Sequence, residues 1–130
     1  MREEVEVKGK VIEILAKTIA EKLWDGERAI KTSPYLSGEV KMLLWVLEAP
    51  ERLQEALIKT LFDEGLKRIG KNPPFTTEDF ESLSEEERDD LADQIKLIAY
   101  ESQKRKMEYW ERAVRLYYCF ETSAPLDYIL

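Results

Sequence analysis

The chain has 130 residues, of which 44% are hydrophobic and 36% are charged, with a net charge of −7. That length suits one globular domain with a buried core, so we expect residues 1–130 to form a single domain. The absence of histidine excludes Ser-His and Cys-His nucleophile pairs and histidine metal sites, and a single cysteine excludes an internal disulfide.

The composition also indicates where the protein works. No apolar run approaches the roughly 20 residues of a membrane-spanning helix, and the first residues, MREEVEVKGK, lack the apolar stretch of a signal peptide. We therefore predict a cytoplasmic protein without membrane contacts. Abundant Glu, Lys and Arg beside a single asparagine give a thermophile-like composition.

Apolar residues recur at helical spacing along most of the chain. A first helix is predicted from about residue 10 to 23 or 24, and the alternating residues before it are compatible with a short strand. The second, YLSGEVKMLLWVLEA, is apolar nearly all round from Val40 to Leu47, which is typical of a helix buried on most sides. Such a helix either forms the centre of the bundle or faces a partner. A third helix follows Pro50 and ends near Gly70. Loops are expected near residues 25–33 and 70–75.

The last helical region begins with a capping box, formed by Ser84 and Glu87. No glycine or proline occurs from residue 85 to about 121, so a long C-terminal helix is predicted there. The polar run ESQKRK separates its two apolar stripes and predicts a bend near residues 101–106. We therefore expect an all-α, compact bundle of four or five helices, followed by an apolar C-terminal tail at 123–130.

A basic and aromatic segment, QKRKMEYWERAVRLYY, lies within that C-terminal helix. Arginine beside aromatic rings is typical of surfaces that bind nucleic acid and of hot spots in protein interfaces. The alternative is that the rings belong to the core and the arginines pair with nearby acids. The candidate contact residues for a partner or nucleic acid are Lys104, Arg105, Lys106, Tyr109, Arg112 and Arg115.

An acidic stretch, residues 78–93, carries nine acids against Arg88 alone. Carboxylates such as Glu86, Asp90 and Asp93 can offer oxygen ligands to Mg²⁺, which would suit a nucleotide phosphohydrolase. The same acids also suit the positive end of a helix dipole, and this simpler interpretation is preferred. We therefore predict no metal site, no cofactor and no catalytic residue.

The tail SAPLDYIL is unusually apolar, because terminal residues are normally polar. Its apolar side chains can pack on their own domain or dock on a neighbouring subunit. The candidate docking residues are Leu126, Tyr128, Ile129 and Leu130.

The leading hypothesis is a small non-catalytic interaction subunit or adaptor that uses the C-terminal helix and tail to bind a protein partner or a second copy. In size and helix content, the chain also resembles the small helical subunits of archaeal CRISPR interference complexes. That resemblance implies nucleic-acid contacts through the same basic residues, although the net acidity opposes it. A Mg²⁺-dependent phosphohydrolase is the third alternative.

Overall fold

The computed structural model describes residues 2–24, 38–50, 52–71 and 81–121, with side chains described for residues 4–23, 38–50, 52–71 and 81–118. Five helices and no strands occur within these ranges, which confirms an all-α bundle. Their bounds are α1 Arg2–Trp24, α2 Gly38–Val46, α3 Leu53–Arg68, α4 Glu85–Ile98 and α5 Gln103–Glu121.

One hydrophobic core joins the helices. α1 packs most closely against α4 and also against α5, whereas α3 packs on α5 and α4, and α2 lies on α1. The apolar stripes predicted from helical spacing face this core, which confirms the periodicity. These stripes are Ile12, Leu15, Ala16, Ile19 and Leu23 in α1; Leu53, Ala56, Leu57, Thr60 and Leu61 in α3; Leu91, Ile95 and Ile98 in α4; and Tyr109 and Ala113 in α5. Of the other residues predicted for the α5 stripe, Leu116 and Tyr117 are half-buried, and the side chain of Phe120 lies outside the described residues.

α1 begins at Arg2, about two turns before the predicted start, so the strand considered for residues 4–9 does not form. Two contacts stabilise the added turns. Lys8 and Glu4, one helical turn apart, form an ion pair at 2.9 Å. The Gln103 amide donates to the carbonyl of Val5 and packs where a Cβ on Gly9 would lie.

The prediction that α2 is buried on most sides is wrong. Val40 and Leu44 are buried on one side of the helix, but Met42, Trp45 and Val46 are 67%, 79% and 56% exposed on the other. These three residues have spacings of three and four, so they share one face. We call them the outer α2 face. A sequence that is apolar all round does not indicate which side meets the core.

The region from residue 85 to 121 is helical as predicted, but residues 99–102 interrupt it and divide it into α4 and α5. The expected bend at 101–106 therefore overlaps the observed break and extends beyond it. Glu101 lies within the break and accepts hydrogen bonds from Arg68 and from Tyr109. The polar run thus makes tertiary contacts, and the helix does not simply project beyond the core.

The ends of two helices follow their sequence signals. After α3, Gly70 has φ +86°, and the Lys71 amide donates to the carbonyl of Leu66 at 2.9 Å. At the start of α4, Ser84 accepts from the Glu87 amide at 3.1 Å and Glu87 accepts from the Ser84 amide at 3.0 Å. The predicted stop and the predicted capping box are both confirmed.

The Glu87 carboxylate also forms an ion pair with Lys71, at 2.6 Å. Lys71 and the Ser84 amide together lower the pKa of Glu87 from 4.5 to about 2. A lowered pKa stabilises the fold above pH 4.5, and this contribution is lost as the pH falls toward 2. We expect Glu87→Gln to melt at a lower temperature than the wild type at pH 7, with the difference shrinking as the pH falls through that range.

Thermal melts recorded from pH 7 downward measure this difference. Glu85→Gln in the same first turn is the matched control, because Glu85 is exposed and has no ion pair among the described residues. A constant difference in melting temperature between Glu87→Gln and the wild type at every pH would contradict the expected coupling between protonation of Glu87 and stability.

The predicted loop at 25–33 and part of that at 70–75 lie outside the described residues. None of the helices that are described is both long enough and apolar enough to cross a membrane.

Candidate functional site

Tyr109, a predicted contact residue of α5, is fully buried. Its hydroxyl donates to Glu101 at 2.6 Å and accepts from Arg68 at 2.7 Å and from Arg105 at 3.2 Å. A hydroxyl has one donor and two acceptor sites, so its hydrogen-bonding capacity is filled. Burial and the bond to Glu101 raise the pKa of Tyr109 to about 12. In this arrangement the ring is held inside the fold and does not reach an external partner.

The two arginines beside that ring are engaged within the molecule. Arg105 and Arg112 lie 5.5 and 5.6 Å from the Tyr109 ring centroid. Arg105 donates to Glu108 at 2.9 Å, and Arg112 donates to Glu64 at 3.1 Å. Much of the positive charge predicted to meet phosphate is therefore balanced by the protein's own carboxylates.

Glu64 is the carboxylate that joins α3 to α5. It accepts from Arg112 and also from Arg68, at 3.0 Å. Burial alone would raise the pKa of Glu64, but these two hydrogen bonds outweigh it and hold the pKa below its usual value. The arrangement is an intramolecular ion network, since every charged group in it has an opposite charge in contact.

The remaining cations of the segment are separated from one another. Lys106 is buried, whereas Lys104 and Arg115 are exposed and have no ion-pair partner among the described residues. Eleven residues of helix separate these two, or about 16 Å along the axis. The described residues therefore present two isolated cations in this segment and no continuous basic stripe.

The carboxylates considered for Mg²⁺ line the solvent side of α4. Glu86, Asp90 and Asp93 are all exposed. Within the described part of the chain, no group of three or more acidic or thiol side chains is placed to hold a metal ion. The acids at residues 85–87 instead occupy the first turn of α4, where its dipole favours negative charge.

A groove lies beside the end of α2, between it and α5. The turn at 47–50 forms one wall, and Trp110, Val114, Tyr117 and Tyr118 of α5 form the other. Glu4, Lys8 and Leu53 complete the lining, and the cavity has a volume of about 210 Å³. We call it the α2–α5 groove. The aromatic residues of the C-terminal helix thus divide into a buried Tyr109 and a group that lines this groove.

Sequence reasoning missed the groove, and it left open whether the apolar α2 lies at the centre of the bundle or faces outward. The apolar run from Val40 to Leu47 was a usable signal, because it exceeds what one buried side of a helix needs. Nothing in the sequence placed residues 47–50 beside α5. The predicted docking residues Leu126, Tyr128, Ile129 and Leu130 lie outside the described residues.

The described surface therefore offers an apolar helix face beside a groove with both polar and apolar lining, and its most prominent charge cluster is neutralised internally. Exposed apolar faces of this kind are typical of interaction sites. Comparison of the chain with known protein families, with curated proteins and with solved structures finds no match.

Proposed function

We propose that this chain is a small non-catalytic interaction subunit that docks on another protein through the outer α2 face. The exposure of Trp45, at 79%, carries this proposal, together with Met42 and Val46 beside it. Fully burying a side chain of this kind is worth about 1.5–3 kcal/mol, which these residues gain only when something covers them. Tryptophan is also among the residues most enriched in interface hot spots.

The partner is inferred to be a different protein with an apolar patch and a neutral or positive surface. The net charge of −7 means that two copies of this chain repel each other, whereas a basic partner is attracted. In this proposal the tail residues Leu126, Tyr128, Ile129 and Leu130 supply a second apolar contact. Binding of nucleic acid through the predicted basic segment has less support, because Arg105 and Arg112 have carboxylate partners.

The test compares the tagged wild-type chain with Trp45→Glu and Leu97→Glu in purification from native extract. Leu97 is a matched control because it is an apolar residue, 53% exposed, on α4. We expect the wild type and Leu97→Glu to retain one protein in stoichiometric amount, and Trp45→Glu to bind it at least about tenfold more weakly. Calorimetry with the purified partner gives the affinities, and thermal melts check folding.

Two results would contradict the proposal. One is unchanged partner affinity in Trp45→Glu. The other is a dimeric mass for the isolated wild-type chain that becomes monomeric in Trp45→Glu, because the outer α2 face would then join two copies. Light scattering of the purified chains measures that mass.

A further inference from the structure

The turn after α2 uses glutamate where helix ends normally use glycine. Glu48 has φ +55°, in the left-handed region. Its amide donates to the carbonyl of Trp45 at 3.0 Å, and the Ala49 amide donates to that of Leu44 at 2.9 Å. This pair of bonds defines a Schellman cap with Glu48 at the position that favours glycine.

The same molecule contains a matched cap with the usual residue. After α3, the Gly70 amide donates to the carbonyl of Lys67 at 3.1 Å, and the Lys71 amide donates to that of Leu66 at 2.9 Å. Gly70 therefore occupies the position that Glu48 occupies after α2, and it also has positive φ. A side chain in this conformation is strained, and residues kept in strained conformations cluster at binding sites.

The side chain of Glu48 lies at the α2–α5 groove. It is exposed, and its carboxylate has no ion pair or hydrogen bond among the described residues. The other charges in the lining, Glu4 and Lys8, form an ion pair with each other. Glu48 therefore gives the groove a negative charge that no described residue balances.

The size of the groove limits what enters it. Its volume of about 210 Å³ is below the roughly 300–1,000 Å³ of sites that enclose small molecules. One or two apolar side chains of a peptide suit this space better than a complete small-molecule ligand. Tyr117 is half-buried and Tyr118 is exposed, so these two rings can contact such side chains, whereas Trp110 is almost fully buried.

We propose that the α2–α5 groove binds a short segment of a protein partner, with one or two apolar side chains in the groove and a lysine or arginine paired with Glu48. This inference rests on the proposed function, because it describes part of the same partner. The charge of Glu48 favours a basic segment over the chain's own tail, since the apolar tail residues flank Asp127.

The experiment selects peptides from a random nine-residue display library against the full chain and against Glu48→Lys, Glu48→Gly and Asp93→Lys. We expect the wild type to enrich apolar peptides that contain lysine or arginine. Glu48→Lys is expected to enrich apolar peptides that contain aspartate or glutamate. Asp93→Lys makes the same charge change at an exposed position of α4 and is expected to select the same peptides as the wild type.

Glu48→Gly separates strain from recognition, because the two effects have opposite signs. Its melting temperature is expected to rise by about 3–5 °C, since glycine accepts the left-handed conformation. Its affinity for a selected basic peptide is expected to fall about five- to tenfold. A gain in stability without loss of affinity would overturn the inference.

Selection of the same peptide charges by the wild type and by Glu48→Lys would also overturn it, as would enrichment of acidic peptides by the wild type. Those outcomes leave docking through the outer α2 face intact, because Trp45→Glu tests that face separately. Unchanged partner affinity in Trp45→Glu, together with peptide selection that still depends on Glu48, identifies the reverse case, in which the groove binds a segment but the outer α2 face is not the docking surface.

Discussion

Replacing Arg68 by methionine is expected to lower the free energy of unfolding by about 2–4 kcal/mol. Arg68 donates to Glu64 at 3.0 Å, to the Tyr109 hydroxyl at 2.7 Å, and also to Glu101. These three partners belong to α3, α5 and the break before α5. The side chains of Arg68, Glu64 and Glu101 are 21%, 12% and 19% exposed, and removing the guanidinium leaves Glu64 with Arg112 and Glu101 with the more distant Arg105 as their remaining charged partners.

Arg52→Met is the matched control for that substitution. Arg52 directly precedes α3 and pairs with Glu55 at 3.4 Å, but both side chains are exposed. Exposed pairs contribute about 0–1 kcal/mol, so this variant is expected to stay close to the wild type. Urea unfolding followed by circular dichroism measures both changes. An equal decrease in the free energy of unfolding for Arg68→Met and Arg52→Met would contradict the structural importance of the contacts that Arg68 makes.

A double-mutant cycle with Glu101→Gln tests the central contact. If Arg68 and Glu101 stabilise each other across the helix break, the double variant loses less than the two single losses together, by about 0.5–3 kcal/mol. Purely additive losses would indicate that the break is held by other contacts.

The helices were predictable from sequence because their stripes repeat at helical spacing. Ile12 and Ile19 in α1, or Leu91 and Ile95 in α4, identify a buried side without knowledge of the rest of the fold. α2 lacks such contrast, since Val40 and Leu44 on its buried side resemble Met42 and Val46 on its exposed side. Its orientation depends on where α1 lies, which the local sequence does not encode.

The predicted basic segment shows a second feature that the local sequence could not predict. Arg112 has a suitable spacing for a surface row, but its partner Glu64 is 48 positions earlier in the chain. The pairing forms only after α3 and α5 have packed together. Local pattern alone therefore predicts an available cation where tertiary packing supplies a carboxylate.

The strain at Glu48 has no local signal at all. A glycine at such a position, as at Gly70, indicates the turn in the sequence itself, whereas a glutamate in the run LEAP continues a helical pattern. Pro50 explains why α2 ends before it, but not which residue takes positive φ. A residue that contradicts the local preference is identified only from backbone geometry, and such a contradiction is what motivates a functional explanation.

Gly65→Ala is expected to lower the free energy of unfolding by about 1–3 kcal/mol, even though alanine favours a helix interior over glycine by about 0.5–1 kcal/mol. A Cβ added at Gly65 would lie 2.6 Å from Cγ1 of Ile95 and 2.8 Å from Cδ1 of Leu91. Both side chains are fully buried, so α3 and α4 must move apart to admit the methyl group. The packing cost therefore exceeds the gain in helix propensity.

Gly38→Ala is the matched control, because Gly38 starts α2 and a Cβ there would meet no atom of the described residues within 4 Å. That variant is expected to remain within about 0.5 kcal/mol of the wild type. In an Ile95→Ala background the contact with Ile95 is removed and the one with Leu91 remains, so adding the methyl group at Gly65 should cost less than it does in the wild type. Urea unfolding of all four variants measures the effect. A Gly65→Ala protein more stable than the wild type would show that α3 and α4 are not held together as closely as this packing requires.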